Sequence, residues 1–283
     1  MTAGSFVDLA FGGRTLAIEY RWLQPAAPSG EAQPGAPAPL VVFLHEGLGS
    51  VATWRDYPQQ LCDAGGYRGL VFSRPGYGRS TPRPPGEQWP VTFMHDQALQ
   101  VLPRLCEQLG VGADGTRPWL FGHSDGGSIA LIYASSFPDA LAGVVVVAPH
   151  VVVEEVSLRS IEKARDAYRS SGLRDRLARY HDDPDSAFFG WNDAWLAPAF
   201  RAWSIESMLE HVRCPILAVQ GADDEYGTLA QVDGIRRGAA QTEIVVLPAC
   251  GHSPHRDAPD ALTRATIQFI TRHSLAPTQG GVQ

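Results

Sequence analysis

Short apolar runs without clean polar alternation recur along the chain, at residues 40–44, 69–72, 118–121, 143–148, 215–220 and 243–247. Such runs suit parallel strands covered on both faces, where every side chain is hidden whichever way it points. Between them, residues 92–109, 127–137, 228–237 and 259–273 place apolar side chains near helical spacing. Strand and helix in alternation predict an α/β fold with a doubly wound, mostly parallel sheet. Residues 5–11 and 15–22 flank Gly12-Gly13 and read as an opening hairpin, and the Pro-, Ala- and Gly-rich stretch from Gln24 to Pro39 reads as a long loop.

The rhythm stops between residues 151 and 211, where LRSIEKARDAYRSSGLRDRLARYH reads as helical, FFGWNDAWLAPAFRAW is aromatic, and no strand pattern intervenes. This predicts a helical cap of about 60 residues inserted into a core made of residues 1–150 and 212–283. The tail from Ser274 is expected to fray.

Composition narrows the function. The 283 residues are 44% hydrophobic and 19% charged, enough for one large domain, and the net charge of −7 comes with no basic stripe. Nucleic acid and anionic membrane surfaces are therefore not expected as partners. The amino-terminal MTAGSFVDLAFGG lacks a basic, apolar leader, and the most apolar stretch, residues 141–153, is broken by Pro149 and His150, so neither a signal peptide nor a spanning helix is expected. Cys62, Cys106, Cys214 and Cys250 form no C-x-x-C pair, which fits reduced thiols and a cytoplasmic protein better than disulfides or a zinc site.

Gly122-His123-Ser124-Asp125-Gly126 matches G-x-S-x-G between a strand-like PWLF and a helix-like GGSIALIYASSF. That is the strand-turn-helix setting of a nucleophile elbow, in which Gly122 and Gly126 let strand and helix approach closely while Ser124 stands above the sheet. A serine hydroxyl needs a base within hydrogen-bond reach and a third group to orient that base. Gln220-Gly221-Ala222-Asp223-Asp224 follows the strand-like PILAVQ, and Cys250-Gly251-His252 follows EIVVLPA, so two carboxylates and a histidine leave the carboxyl ends of successive strands. An oxyanion needs two N–H donors, for which the candidates are Asp125, at a helix amino terminus, and Gly47, in the loop His45-Glu46-Gly47-Leu48-Gly49-Ser50.

Five motifs, HEGLGS, SRPGYGRS, GHSDGG, GADD and GHSPHRDAP, stand in order along the chain, which thereby resembles α/β-hydrolase-fold serine hydrolases over nearly its whole length. Within them, the G-x-S-D-G-G elbow and the L-G-S loop are similar to valacyclovir-hydrolase-like esterases. The resemblance implies Ser124 as nucleophile, His252 as base and Asp224, the last position of G-x-x-D, as orienting acid, with Asp223 as the alternative. It also implies that Asp125 attracts the amino group of amino-acid esters. One departure is that His45-Glu46 replaces the usual His-Gly, placing a carboxylate beside the oxyanion loop.

Bland readings stand beside these. Asp125 also suits the first turn of a helix, Glu46 a structural ion pair, and His255 loop packing, since no third ligand accompanies it for a metal. Trp191, Trp195 and Trp203 suit either a core or a pocket under the cap, and His150 ends the strand-like GVVVVAP near the same mouth. The expectation is a cofactor-free hydrolase of a small carboxylic ester, with Glu46, His150 and Trp191 as substrate-contacting candidates and a monomer or homodimer as the assembly. C–C bond hydrolysis, cofactor-independent dioxygenation and ligand reception without catalysis are the alternatives the same scaffold allows.

Overall fold

The computed structural model describes residues 4–26 and 38–275, so most of the predicted long loop and the end of the predicted frayed tail lie outside the described residues. Eight strands form one sheet: β1 (Ser5–Phe11), β2 (Arg14–Leu23), β3 (Leu40–Leu44), β4 (Arg68–Phe72), β5 (Trp119–His123), β6 (Gly143–Val147), β7 (Ile216–Gly221) and β8 (Thr242–Leu247). Their order is β1-β2-β4-β3-β5-β6-β7-β8. The hairpin and its junction with β4 are antiparallel and every other pairing is parallel. The fold is the doubly wound α/β sheet that the apolar rhythm predicts.

Every residue of β3, β5, β6 and β7 is buried, which is why their sequences lack a polar face. Their period-2 geometry still sorts the side chains. Val42, Leu44, Leu120, Val144, Val146 and Ile216 face one core, and Val41, Phe43, Phe121, Val145, Val147 and Leu217 face the other.

The helices are α1 (Tyr57–Gly65), α2 (Phe93–Asp96), α3 (Leu102–Gln108), α4 (Asp125–Ser136), α5 (Glu155–Ser170), α6 (Leu173–Leu177), α7 (Pro184–Trp195), α8 (Ala230–Gly238), α9 (Pro254–Asp257) and α10 (Pro259–Leu275). No helix among the described residues is long and apolar enough to cross a membrane. Helix α1 has no counterpart in the sequence reading, because only Tyr57, Pro58, Leu61 and Cys62 are buried and so short a stripe carries little periodicity. The single helix expected over residues 92–109 is interrupted by a π-helical stretch, Gln97–Val101. There the Leu102 N–H reaches back to the Gln97 carbonyl, and Pro103 has no N–H with which to restore the ordinary ladder.

Between β6 and β7 the chain forms α5, α6, α7 and two 3₁₀ turns, with one isolated bridge between Val152 and Ser204. His181 ties this segment to the core: its Nδ1 accepts from the Gly78 N–H at 2.9 Å and its Nε2 donates to the Leu48 carbonyl at 3.0 Å. Those two bonds fix the ring's tautomer and seat the helical segment against the two loops beside the mouth of the sheet.

Candidate active site

The turn from β5 into α4 holds Ser124 at φ 53°, ψ −120°, a left-handed conformation that a non-glycine residue adopts only when its surroundings impose it. The surroundings here are steric. A Cβ on Gly122 would collide with the Gly126 carbonyl, and one on Gly126 with the Leu44 carbonyl of β3, so both glycines are needed for helix and strand to meet. The Ser124 N–H donates to the Val147 carbonyl at 2.9 Å, anchoring the turn to β6.

Loops after β7 and β8 bring the other two groups to this serine. His252 Nε2 lies 3.0 Å from Ser124 Oγ, and His252 Nδ1 lies 2.8 Å from Asp224 Oδ1. Asp224 is held from three directions: Tyr226 N–H and Gly227 N–H donate to Oδ1 at 2.8 and 3.3 Å, and Gln220 Nε2 to Oδ2 at 2.8 Å. Burial works against its charge, but the His252 hydrogen bond and field, with the Tyr226 N–H, outweigh burial and hold the carboxyl below the usual carboxylate range. Asp223 is exposed, and its recorded bond is from its backbone N–H to the Cys250 carbonyl at 2.9 Å. Of the two candidate acids, the structure therefore brings Asp224 to His252.

Gly47 and Asp125 lie on the wall of the same cavity, and among the described residues no acceptor takes either backbone N–H. Trp191 packs so closely over Gly47 that a Cβ there would strike its indole. The cavity holds about 240 Å³ and is lined by Ser124, His252 and Glu46, by the apolar Leu48, Ile161, Trp191 and Trp195, and by His150, Glu225 and Tyr226. Glu46 lies 3.6 Å from His123 Nδ1 and 4.0 Å from Arg256 Nη2, and the arginine gives it a counter-charge at the rim. Burial opposes its charge too, yet the contact with His123 and the field of the surrounding histidines hold it well below the usual range. Asp125 departs from the ammonium-attracting expectation. Its side chain is fully buried, accepts from Trp195 Nε1 at 3.1 Å and lies 3.7 Å from Arg74 Nη2, so its charge is already answered inside the protein.

Three contributors were absent from the sequence reading. His123 donates from Nε2 to the His252 carbonyl at 2.7 Å, steadying the His252 backbone. Glu225 accepts the His252 N–H at 3.1 Å while lining the cavity. Arg74 reaches the Glu46 carbonyl of the loop after β3 from the turn after β4. The only sequence signal for the first two is adjacency, His123 to Ser124 and Glu225 to Asp224.

His150 lines the cavity, with its ring 5.0 Å from that of Trp195, whereas His255 packs behind it against Trp54 and His123. Burial, helped by neighbouring histidines, pushes both down to about 3 from an ordinary 6.5. The unfolded chain therefore binds more protons than the folded one between those values. Stability is full above about pH 6.5 and falls as the pH drops towards 3, by about 2 kcal/mol per ring at pH 5. The thermal midpoint should accordingly fall on going from pH 8 to pH 5, and His255→Phe should flatten that fall, as measured by calorimetry across the range.

The sequence profile described as "Alpha/beta hydrolase family" matches residues 41–265. The chain belongs to that family. The 2-succinyl-6-hydroxy-2,4-cyclohexadiene-1-carboxylate synthase of Enterobacter sp. (strain 638) is 25% identical to it over 261 residues, 86% of this chain and 96% of that one. The 2-hydroxy-6-oxo-6-phenylhexa-2,4-dienoate hydrolase of Burkholderia cepacia is 21% identical, over 81% of this chain and 87% of that one. Among solved structures, a thermophilic esterase from Thermogutta terrifontis superposes with a TM-score of 0.67 at 19% identity, covering 95% of this chain and 99% of that one. The shared fold places this α/β hydrolase among enzymes of several reaction types, and it leaves the choice of substrate to the lining of the cavity.

Proposed function

We propose that this α/β hydrolase cleaves a small carboxylic ester through an acyl-enzyme on Ser124. The observation that carries the reading is the hydrogen-bonded chain from Ser124 through His252 to Asp224 at the wall of a 240 Å³ cavity. Ser124 Oγ adds to the ester carbonyl carbon as its proton passes to His252 Nε2, and the carbonyl oxygen becomes an oxyanion beside the Gly47 and Asp125 N–H groups. Collapse expels the alcohol, which takes the proton from His252. Water, deprotonated by His252, then releases the acid and restores the serine. Residues 151–211 act as the cap, contributing Trp191 and Trp195 to the wall.

Charge separates this reading from the carbon–carbon bond hydrolysis that the same scaffold allows. The two curated relatives' names specify carboxylates, whereas among the described residues the carboxylates on this cavity's wall are Glu225 and Glu46, the latter 4.0 Å from Arg256, and no Lys or Arg lines it. A neutral or ammonium-bearing acyl group suits such a wall, and an anionic one meets the exposed carboxylate of Glu225. Because the Asp125 carboxylate is buried and paired, any preference for amino-acid esters rests on Glu225 and the rim rather than on Asp125.

A panel of esters matched in size but bearing ammonium, neutral or carboxylate groups tests this. Neutral and ammonium esters should exceed the carboxylate member by at least about tenfold in kcat/KM, one unfavourable contact of about 1.4 kcal/mol. Faster turnover of the carboxylate member would overturn the charge argument, and turnover confined to a carbon–carbon substrate would overturn the ester assignment.

A further inference from the structure

The loop after β4 carries Arg74, whose side chain is only 1% exposed although it bears a full charge. Burying a guanidinium is costly, and where stability alone is at stake an apolar side chain of similar volume serves as well. What Arg74 touches indicates why it is there. Its Nη2 donates to the Glu46 carbonyl at 2.9 Å and lies 3.7 Å from Asp125 Oδ2. Its guanidinium sits over the Tyr77 ring, 4.6 Å from the centroid, which fixes its plane.

Both partners belong to the oxyanion donors. The Glu46 carbonyl is the other end of the peptide unit that carries the Gly47 N–H, and in a planar trans peptide the two point in opposite directions. That carbonyl is gripped by three donors: His45 Nδ1 at 2.7 Å, Arg74 Nη2 at 2.9 Å and the Gly49 N–H at 3.0 Å. His45 is itself set by the same arginine, since the Arg74 N–H donates to His45 Nε2 at 3.0 Å and leaves Nδ1 as the protonated nitrogen. Gripping the oxygen orients the Gly47 N–H away from it, and a cation on the oxygen polarises that N–H. Asp125, bearer of the second N–H, is held by the same guanidinium on one side and by Trp195 of the cap on the other.

We infer that Arg74 is the positioning residue of the oxyanion site, aligning and polarising the Gly47 N–H through the Glu46 carbonyl and anchoring the Asp125 N–H through its carboxylate. The inference rests on the serine-hydrolase reading above. It assigns to Arg74 an effect on the transition state and none on the ground state, because the oxyanion exists only after Ser124 has added to the carbonyl.

Two variants test it. Arg74→Lys keeps the charge and removes the planar fork, while Arg74→Met with Asp125→Asn removes both charges together so that no buried carboxylate is left unpaired. With p-nitrophenyl acetate, each should lose roughly 10- to 100-fold in kcat with KM within about twofold, somewhat less than removal of a donor outright. The inhibition constant of an aryl trifluoromethyl ketone, which forms an anionic adduct on Ser124, should weaken in step with kcat/KM. That of the corresponding methyl ketone should stay within about twofold, a contrast that a general loosening of the fold would not produce. Wild-type kcat and trifluoromethyl ketone affinity in either folded variant would overturn the role of Arg74 alone. Absence of a fluorophosphonate adduct on wild-type Ser124 would overturn the serine reading and Arg74's role with it.

Discussion

Ser124→Ala should lower ester turnover by roughly 10⁵- to 10⁶-fold while leaving the thermal midpoint almost unchanged. The size of the effect follows from position: the hydroxyl lies 3.0 Å from His252 Nε2, and no other described side chain offers a nucleophilic oxygen in hydrogen-bond contact with that nitrogen. The small effect on stability follows from the turn, whose conformation is imposed by Gly122, Gly126 and the bond to Val147 and not by the hydroxyl. Intact-protein mass after brief exposure to a fluorophosphonate gives a second readout. One adduct should form on wild-type protein and none on the variant. Turnover that survives Ser124→Ala would transfer the chemistry to His252 and Asp224 and favour a dioxygenase-like reaction, whose oxygen uptake is directly measurable.

The second large effect is expected at the acid. Asp224→Asn should cost about 10³- to 10⁴-fold in kcat, whereas Asp223→Asn should change it by less than about twofold. An asparagine carbonyl at the Oδ1 position can still receive the Tyr226, Gly227 and His252 donors, but its NH₂ then faces the Gln220 Nε2 that now donates to Oδ2. The alternative orientation opposes donors at Oδ1 instead and forces His252 into the wrong tautomer. Either way the negative charge that stabilises the imidazolium in the transition state is lost. The exposed Asp223 side chain has no part in this arrangement, and its backbone bond to Cys250 survives substitution. Single-turnover kinetics on the two variants side by side measure the contrast, and a greater loss at Asp223 would reverse the assignment.

The elements nearest the site were the easiest to read from sequence, for a physical reason. Strands β3, β5, β6 and β7 are buried throughout, so their apolar runs are unbroken, and the Gly-containing segments after β3, β5 and β7 mark where a side chain can leave the sheet. The elements that escaped reading bury little: α1 shows one short stripe, and the π-helical stretch before Pro103 follows from a hydrogen-bond shift that leaves no mark on apolar spacing. The same division runs through the site. Ser124 stands in a motif whose glycines serve a local steric purpose, whereas Arg74 stands in SRPGYGRS, which carries the resemblance but gives Arg74 no role until its guanidinium is seen beside Glu46 and Asp125.

What the sequence by itself determined is the alternation that builds a parallel sheet, the sharp turn that lifts Ser124 above it, and the order of serine, acid and histidine at strand ends. These are set by interactions within a few residues of the chain, by turn chemistry and by the period of apolar side chains. Only the tertiary structure decided that Asp224 and not Asp223 meets His252, that the Asp125 charge is answered by Arg74 and Trp195 instead of facing the cavity, and that Glu225 does face it. Each of those outcomes depends on where a side chain points once segments 28 to 70 residues apart have packed, as the separations of the His252–Asp224 and Trp195–Asp125 pairs show. Neighbours in sequence share a position on the fold but not a direction, and direction is fixed by packing.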